Sequence, residues 1–166
     1  MIEKDTYKHL PNSTEHNCFG CSPVNASGLQ MKFFTNEETV FSHVTIPDHL
    51  CGWSNIAHGG VLTTILDEIM SWAALYFLKR ITMTKSMTME FIKPVLIKSP
   101  LRAEGRVQGA KGKHEAIMEG VLYNSKGEAC VKSTANFAVF SPKVAKRLGI
   151  ADNVSLKFFE DVFGIT

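Results

Sequence analysis

The chain has 166 residues, 45% of them hydrophobic, and a formal net charge of +2. That is enough for one domain with a real core, expected over residues 1–166 with its centre at about 16–140 and flanking terminal segments. The basic residues are scattered, which excludes the electrostatic footprint of a nucleic-acid binder or of a protein held on an anionic membrane.

The opening MIEKDTYKHLPNSTEH is polar and has no apolar run of the secretory kind. Residues 1 to about 16 read as a loose or helical lead-in. The four cysteines, Cys18, Cys21, Cys51 and Cys130, are then expected as reduced thiols in a cytoplasmic protein. HNCFGCSPVNASGLQ reads as an ordered loop. The runs LQMKFFT and TVFSHVTI, separated by NEE, predict a hairpin. PDHLCGWSNIAHGG is a second loop, and a helix is predicted from about Gly59 to Lys79. Val61 to Leu78 is long enough to span a bilayer, but Asp67 and Glu68 near its centre argue for a buried helix instead.

After the helix the apolar period drops to two. MTKSMTMEF alternates Met83, Met87, Met89 and Phe91 with Thr84, Ser86, Thr88 and Glu90, which predicts a half-buried strand ended by Pro94. LRAEGRVQG, KHEAIMEGVLYN and EACVKSTANFAVF predict three strands of an antiparallel meander. SPKVAKRLG predicts a short helix capped by Ser141, with Pro142 at its first position. Phe158, Phe159, Val162 and Phe163 recur at helical spacing and predict a tail packed on the body. The long helix is apolar nearly all round and is expected to be surrounded. One antiparallel sheet curled about one central helix, an α+β fold, satisfies this.

Four features in order, the NCFGCSPVNASGL loop, His58-Gly59-Gly60 opening the helix, Asp67 nine residues after the histidine, and the strand MTKSMTMEFIKP, resemble the hotdog-fold acyl-CoA thioesterases of the phenylacetate-pathway branch. The resemblance covers roughly residues 16–140. It implies a hotdog fold, hydrolysis of an acyl- or aryl-CoA thioester, no cofactor, and a homodimer or a dimer of dimers. The catalytic positions of the family fall on His58, Gly59, Asp67 and Thr84, the last ten residues before Pro94. Some relatives carry an asparagine six residues before the histidine; here that residue is Gly52, and Asn55 lies nearer. Gly60, Asn55, Ser86 and Glu68 complete the candidate substrate-contacting set. The loop with Cys18 and Cys21 is implied to lie near the acyl channel.

The chemistry of these residues agrees with the resemblance. A helix N-terminus presents free N–H groups and partial positive charge, and glycine leaves room for a ligand. Gly59 and Gly60 therefore suit the oxyanion of a tetrahedral intermediate. Asp67 has Thr63, Thr64, Met70 and Ser71 as same-face neighbours and no Lys or Arg one turn away. It suits a general base or a nucleophile. His58 is read more as a loop-holding group than as a proton carrier. Glu68 points about 100° from Asp67 and is read as a hydrogen-bonding or surface group. Gly59 and Asp67 lie about 12 Å apart along one helix, too far to serve one thioester. This spacing predicts shared sites in an isologous dimer, Gly59 from one subunit and Asp67 from the other.

Cys18-x-x-Cys21 is half of a zinc site. The sequence offers only Cys51, His49 or a partner chain for the other half, so no metal is expected. Lys85, Lys93, Arg102, Lys111 and Lys113 are unranked candidates for coenzyme A phosphates. Trp53 and Met83 are candidate channel residues. The alternative function is a non-catalytic acyl-CoA-binding hotdog domain. A hydratase is set aside because its Asp/His arrangement is absent.

Overall fold

A computed structural model describes residues 7–166. The strands are β1 (Lys8–Leu10), β2 (Phe33–Thr35), β3 (Val40–Thr45), β4 (Ile81–Phe91), β5 (Pro100–Ala110), β6 (Glu115–Tyr123) and β7 (Ala129–Phe140). The helices are α1 (Gly59–Leu78), α2 (Pro142–Arg147) and α3 (Asn153–Phe163). All seven strands join one sheet in the order β1-β2-β3-β5-β6-β7-β4, with antiparallel pairing throughout. This is the hotdog arrangement: β5, β6 and β7 form the predicted meander, and β4 crosses over to pair with β7 at the far edge. The described part of the lead-in is loose rather than helical, apart from one short strand. Lys8–Leu10 pairs with Phe33–Thr35 and continues the sheet.

The helix lies on one face of the sheet because small residues there make room for it. Cross-strand partners Gly105 and Gly120 are both buried under α1. A Cβ on Gly105 would stand 2.5 Å from the Ile69 carbonyl oxygen and 2.8 Å from its carbon. One on Gly120 would stand 3.2 Å from the Met70 Cγ. Around this contact Ala103, Met118, Leu122, Ala135 and Phe137 form the buried inner face. The helix meets it with Leu62, Ile65, Leu66, Ile69, Met70 and Ala73.

The helix is not surrounded, contrary to the expectation from its all-round apolarity. Gly60, Thr64, Asp67 and Ser71 form one stripe at helical spacing, and none of them is buried. Another side of the helix is covered by the chain termini. Trp72 stacks on Phe33 of β2 with centroids 4.3 Å apart and takes the edge of Phe163 of α3 at 5.8 Å. The predicted tail therefore does pack on the body. Ser141 caps α2 by accepting from the Val144 N–H, and Asp152 caps α3 by accepting from the Ser155 N–H at 2.8 Å.

The Gly105 contact involves helix backbone, which cannot rotate out of the way. Gly105→Ala is therefore expected to destabilise the fold by roughly 1–3 kcal/mol through overpacking. Gly109 has nothing within 4 Å of the corresponding Cβ position, so Gly109→Ala is expected to be near neutral. Denaturant titration of the two variants beside the parent chain checks the contrast.

Candidate functional site

The helix entrance is organised by His58. Its backbone is extended (φ −65°, ψ 136°), and its Nδ1 accepts the Gly60 N–H at 3.0 Å. The His58 carbonyl accepts from Val61 and Leu62. The side chain thus acts as an N-cap, satisfying a donor that the first turn would leave free. One donor remains. The Gly59 N–H finds no acceptor among the described residues, and the ring of Phe91 lies 3.6 Å from where a Cβ on Gly59 would be. Of the two glycines, only Gly59 offers an uncommitted N–H.

Asp67 projects from the open stripe two turns along. Thr84 of β4 donates its hydroxyl to Asp67 Oδ1 at 2.5 Å. Asp67 has no ion-pair partner among the described residues. The contact depends on an irregularity in β4. The register with β7 shifts between Thr84 and Ser86, so Thr84 pairs with Phe137 and Ser86 with the next residue, Asn136. Lys85 is the extra residue of a β-bulge. Paired residues share a face, and Phe137 is fully buried on the inner face. Thr84 therefore faces the helix, whereas Ser86 faces outward, where it accepts from Asn136 Nδ2 at 3.1 Å. The plain alternation read from the sequence puts Thr84 and Ser86 on one side; the bulge separates them.

The remaining candidates scatter. Asn55 is exposed, and its carbonyl holds Ile97 N–H at 3.0 Å, but its side chain makes no hydrogen bond among the described residues. A Cβ at Gly52 would sit 3.4 Å from the His58 Cα. The position that is asparagine in some relatives therefore does adjoin the histidine here. Trp53 is 87% exposed and Met83 49% exposed, and each stands on the outside of the chain. Lys85 pairs with Glu115, Lys93 with Glu128 at 2.7 Å, and Arg102 with Glu104 at 2.6 Å. A groove lined by Arg80, Lys85, Lys113, His114 and Arg147 runs beside the bulged part of β4.

Glu68 turns away from Asp67 to the N-terminal loop, where it accepts from Cys18 Sγ at 3.3 Å. The sulfurs of Cys18 and Cys21 and a carboxylate oxygen of Glu68 all lie within 4.8 Å of one another. Burial, with the neighbouring Cys18 thiolate, pushes the Glu68 carboxyl up to about 8. The hydrogen bond from Cys21 brings the Cys18 thiol down to about 5, and the same bond with burial pushes Cys21 up. Neither His49 nor Cys51 belongs to this group; Cys51 is exposed in the loop before the helix and bridges to Ala57. Glu68 instead supplies the third member. Both cysteines border a cavity of about 510 Å³, which Ser71, Trp72, Leu75, Thr82, Phe158 and Phe159 also line. Ser71 is one helical turn beyond Asp67, and Thr82 is two residues before Thr84. The cavity therefore begins just past the Asp67–Thr84 pair.

Residues 54–131 match the family described as the thioesterase superfamily. Among curated proteins, an uncharacterized protein of Schizosaccharomyces pombe is 28% identical over 97 residues, 56% of this chain and 50% of its own. The match thus spans about half the length of that relative. A crystal structure of a thioesterase superfamily protein superposes with a TM-score of 0.68 at 21% identity, covering 74% of this chain and 60% of the other. The Escherichia coli PaaI protein of the phenylacetic acid degradation operon superposes at 0.61 and 16% identity, covering 68% of this chain and 81% of its own. A hypothetical thioesterase of Streptococcus pneumoniae, crystallised with coenzyme A, gives 0.55 and 20% identity, covering 61% and 81%. The chain shares the hotdog fold of these structures, and its residues 54–131 are similar to the thioesterase superfamily.

His58→Ala removes the cap and is expected to cost about 1 kcal/mol of stability. His58→Asn, which supplies another capping acceptor, is expected to restore most of that loss. Chemical denaturation of the three chains measures the difference.

Proposed function

We propose that the protein hydrolyses an acyl- or aryl-CoA thioester to the free acid and coenzyme A. The observation that carries this reading is the Asp67–Thr84 pair. It is a carboxylate with no ion-pair partner among the described residues, oriented through one oxygen by a hydroxyl at 2.5 Å, one helical turn from Ser71 at a cavity that Trp72, Leu75, Phe158 and Phe159 also line. Thr84 occupies Oδ1 and leaves Oδ2 for the reaction. Oδ2 takes a proton from water as that water attacks the thioester carbon, or it attacks the carbon itself to form a mixed anhydride that water then hydrolyses to the free acid and the Asp67 carboxylate. The oxyanion that forms is met by the Gly59 N–H at a helix N-terminus. Collapse of the intermediate expels the coenzyme A thiolate, which takes up the proton. The apolar cavity suits the acyl group. The groove with Arg80, Lys113 and Arg147 suits the phosphates of coenzyme A. The relatives named for thioesterase character and the coenzyme A-bound structure support the same chemistry.

The site needs two chains. Gly59 and Asp67 are about 12 Å apart on one rigid helix, and the stripe that joins them is open. β4 is an eleven-residue strand at the sheet edge with Met83 and Phe91 exposed. A long edge of that kind calls for a cover. An isologous dimer about β4 and the open side of α1 pairs Gly59 of each chain with Asp67 of the partner subunit.

The test is thiol release from a panel of aliphatic and aromatic acyl-CoAs. Asp67→Asn is expected to lower the rate roughly 10²–10⁴-fold; a full-rate variant, or binding without turnover by the parent chain, would sink the proposal. Gly59→Pro deletes only the uncommitted N–H, because proline is accepted at a first helical position and the extended His58 suits a following proline. It is expected to lose about 10²–10³-fold. Coexpression of the two inactive chains should regenerate one intact site per mixed dimer, returning about a quarter of the parent activity. No recovery refutes the shared site. Combined Lys113→Ala and Arg147→Ala is expected to raise KM several-fold with little change in kcat, checked on the best substrate of the panel.

A further inference from the structure

The proposed hydrolysis uses neither Cys18, Cys21 nor Glu68, yet the fold has gone to some length to bring them together. Glu68 comes from the middle of α1 and the cysteines from a loop fifty residues earlier. The approach is possible only because residue 20 is glycine. A Cβ there would lie 2.2 Å from Glu68 Cγ and 2.5 Å from its Cδ. The loop is braced before any ligand arrives. His16 Nδ1 accepts the Cys18 N–H at 3.3 Å, its Nε2 bonds Asn12 Oδ1 at 3.0 Å, and Asn12 Nδ2 donates to the Cys21 carbonyl at 2.7 Å. Ser22 ties the loop to itself through the His16 carbonyl at 2.7 Å. Both nitrogens of His16 are used in this brace, so it supports the group without joining it.

Three acidic groups share this small space with no Lys or Arg paired to them among the described residues. Cys18 Sγ lies at hydrogen-bond distance, 3.3 Å, from Glu68 Oε1. We propose that Cys18, Cys21 and Glu68 bind a zinc ion, with a fourth position open to water from the adjoining cavity. Two thiolates and one carboxylate with a solvent ligand are a donor set that zinc accepts in tetrahedral geometry. The mutual separation within 4.8 Å allows all three to reach one ion with small side-chain rotations. Binding replaces the protons of the ligand groups by one divalent charge, so it stabilises a buried acid cluster that otherwise has no counter-charge. The sequence shows two of the ligands; the third becomes a ligand only through the packing of α1 on the loop.

The experiment is elemental analysis of the full chain, purified without an affinity tag and under reducing conditions, with a cobalt(II)-exchanged sample read by visible spectroscopy. Stoichiometric zinc and the intense bands of tetrahedral, thiolate-ligated cobalt are expected. Cys18→Ser and Cys21→Ser should abolish both signals. Loss of an outer partner of a metal site typically weakens binding roughly 10–100-fold, so Glu68→Gln is expected to weaken zinc at least that much. Gly20→Ala, which displaces Glu68 and leaves both thiols, should weaken it as well. The parent chain's own spectrum keeps the test decisive if a variant does not fold. Absence of zinc from the parent chain with weak, octahedral cobalt spectra, or a Cys18–Cys21 disulfide as the stable state, overturns the proposal. The readout is metal content, so it stands or falls apart from thioester hydrolysis.

Discussion

The contact of α1 with the glycine pair of β5 and β6 governs the rest of the molecule. At Gly105 the sheet meets helix backbone, not side chains, at a distance that excludes even a methyl group. That contact sets both the depth and the rotation of α1. Once the rotation is set, the helix has three distinct sides. Leu66, Ile69 and Met70 face the sheet, Glu68 faces the cysteine loop, and Gly60, Thr64, Asp67 and Ser71 face outward. A helix held farther off by larger residues would be free to turn, and the adjacent acids Asp67 and Glu68 would lose their separate assignments. The packing of small residues therefore fixes the chemistry of residues that never touch them.

The β4 bulge does for the strand what the glycines do for the helix. A regular strand with Ser86 outward also turns Thr84 outward, away from the helix. One extra residue, Lys85, reverses the phase and turns Thr84 to Asp67. The same device keeps Met87, Met89 and Phe91 in phase with Ala135, Ser133 and Val131 on the inner face. The strand thus meets two demands, apolar side chains on the inner face at Met87, Met89 and Phe91 and hydroxyls on that face at Thr82 and Thr84. A bulge at a sheet edge disturbs few neighbours, since only β7 must accommodate it.

Much of this architecture is legible in the sequence because it is periodic. The meander β5–β7, the long helix, the capped α2 and the tail α3 all follow from local alternation, helical spacing and caps. His58, Gly59 and Asp67 are legible as a motif at fixed spacing. What the sequence hides is not periodic. Met83, Met87, Met89 and Phe91 alternate with polar residues whether or not Lys85 is bulged, so the pattern has no mark for the phase change. The Glu68–Cys18 contact joins residues fifty apart and leaves no local trace except the glycine between the two cysteines. The expectation of a surrounded helix fails for a related reason. Gly60, Thr64 and Ser71 are small and weakly polar, so they hardly dilute the apolar count, yet they are the ones left uncovered.

That uncovered stripe is the point at which fold and chemistry meet. It begins at the helix N-terminus, where the Gly59 N–H has no acceptor among the described residues, and passes Asp67 two turns later. On its flank lies Phe91 of the edge strand, exposed and with its ring 3.6 Å from where a Cβ on Gly59 would be. A free backbone donor, a carboxylate without a cation and an apolar side chain in water are each unfavourable alone. Their coincidence on one side of one helix is economical if a single event relieves all of them. A substrate alone reaches only one end, since the two polar groups are separated by the helix length between them. In the dimer we propose, a second copy of the same surface, related by a dyad, would cover the apolar flank and set each donor opposite a carboxylate. The separation that keeps Gly59 and Asp67 of one chain from a common thioester is thus the separation that the proposed two-fold axis would bridge.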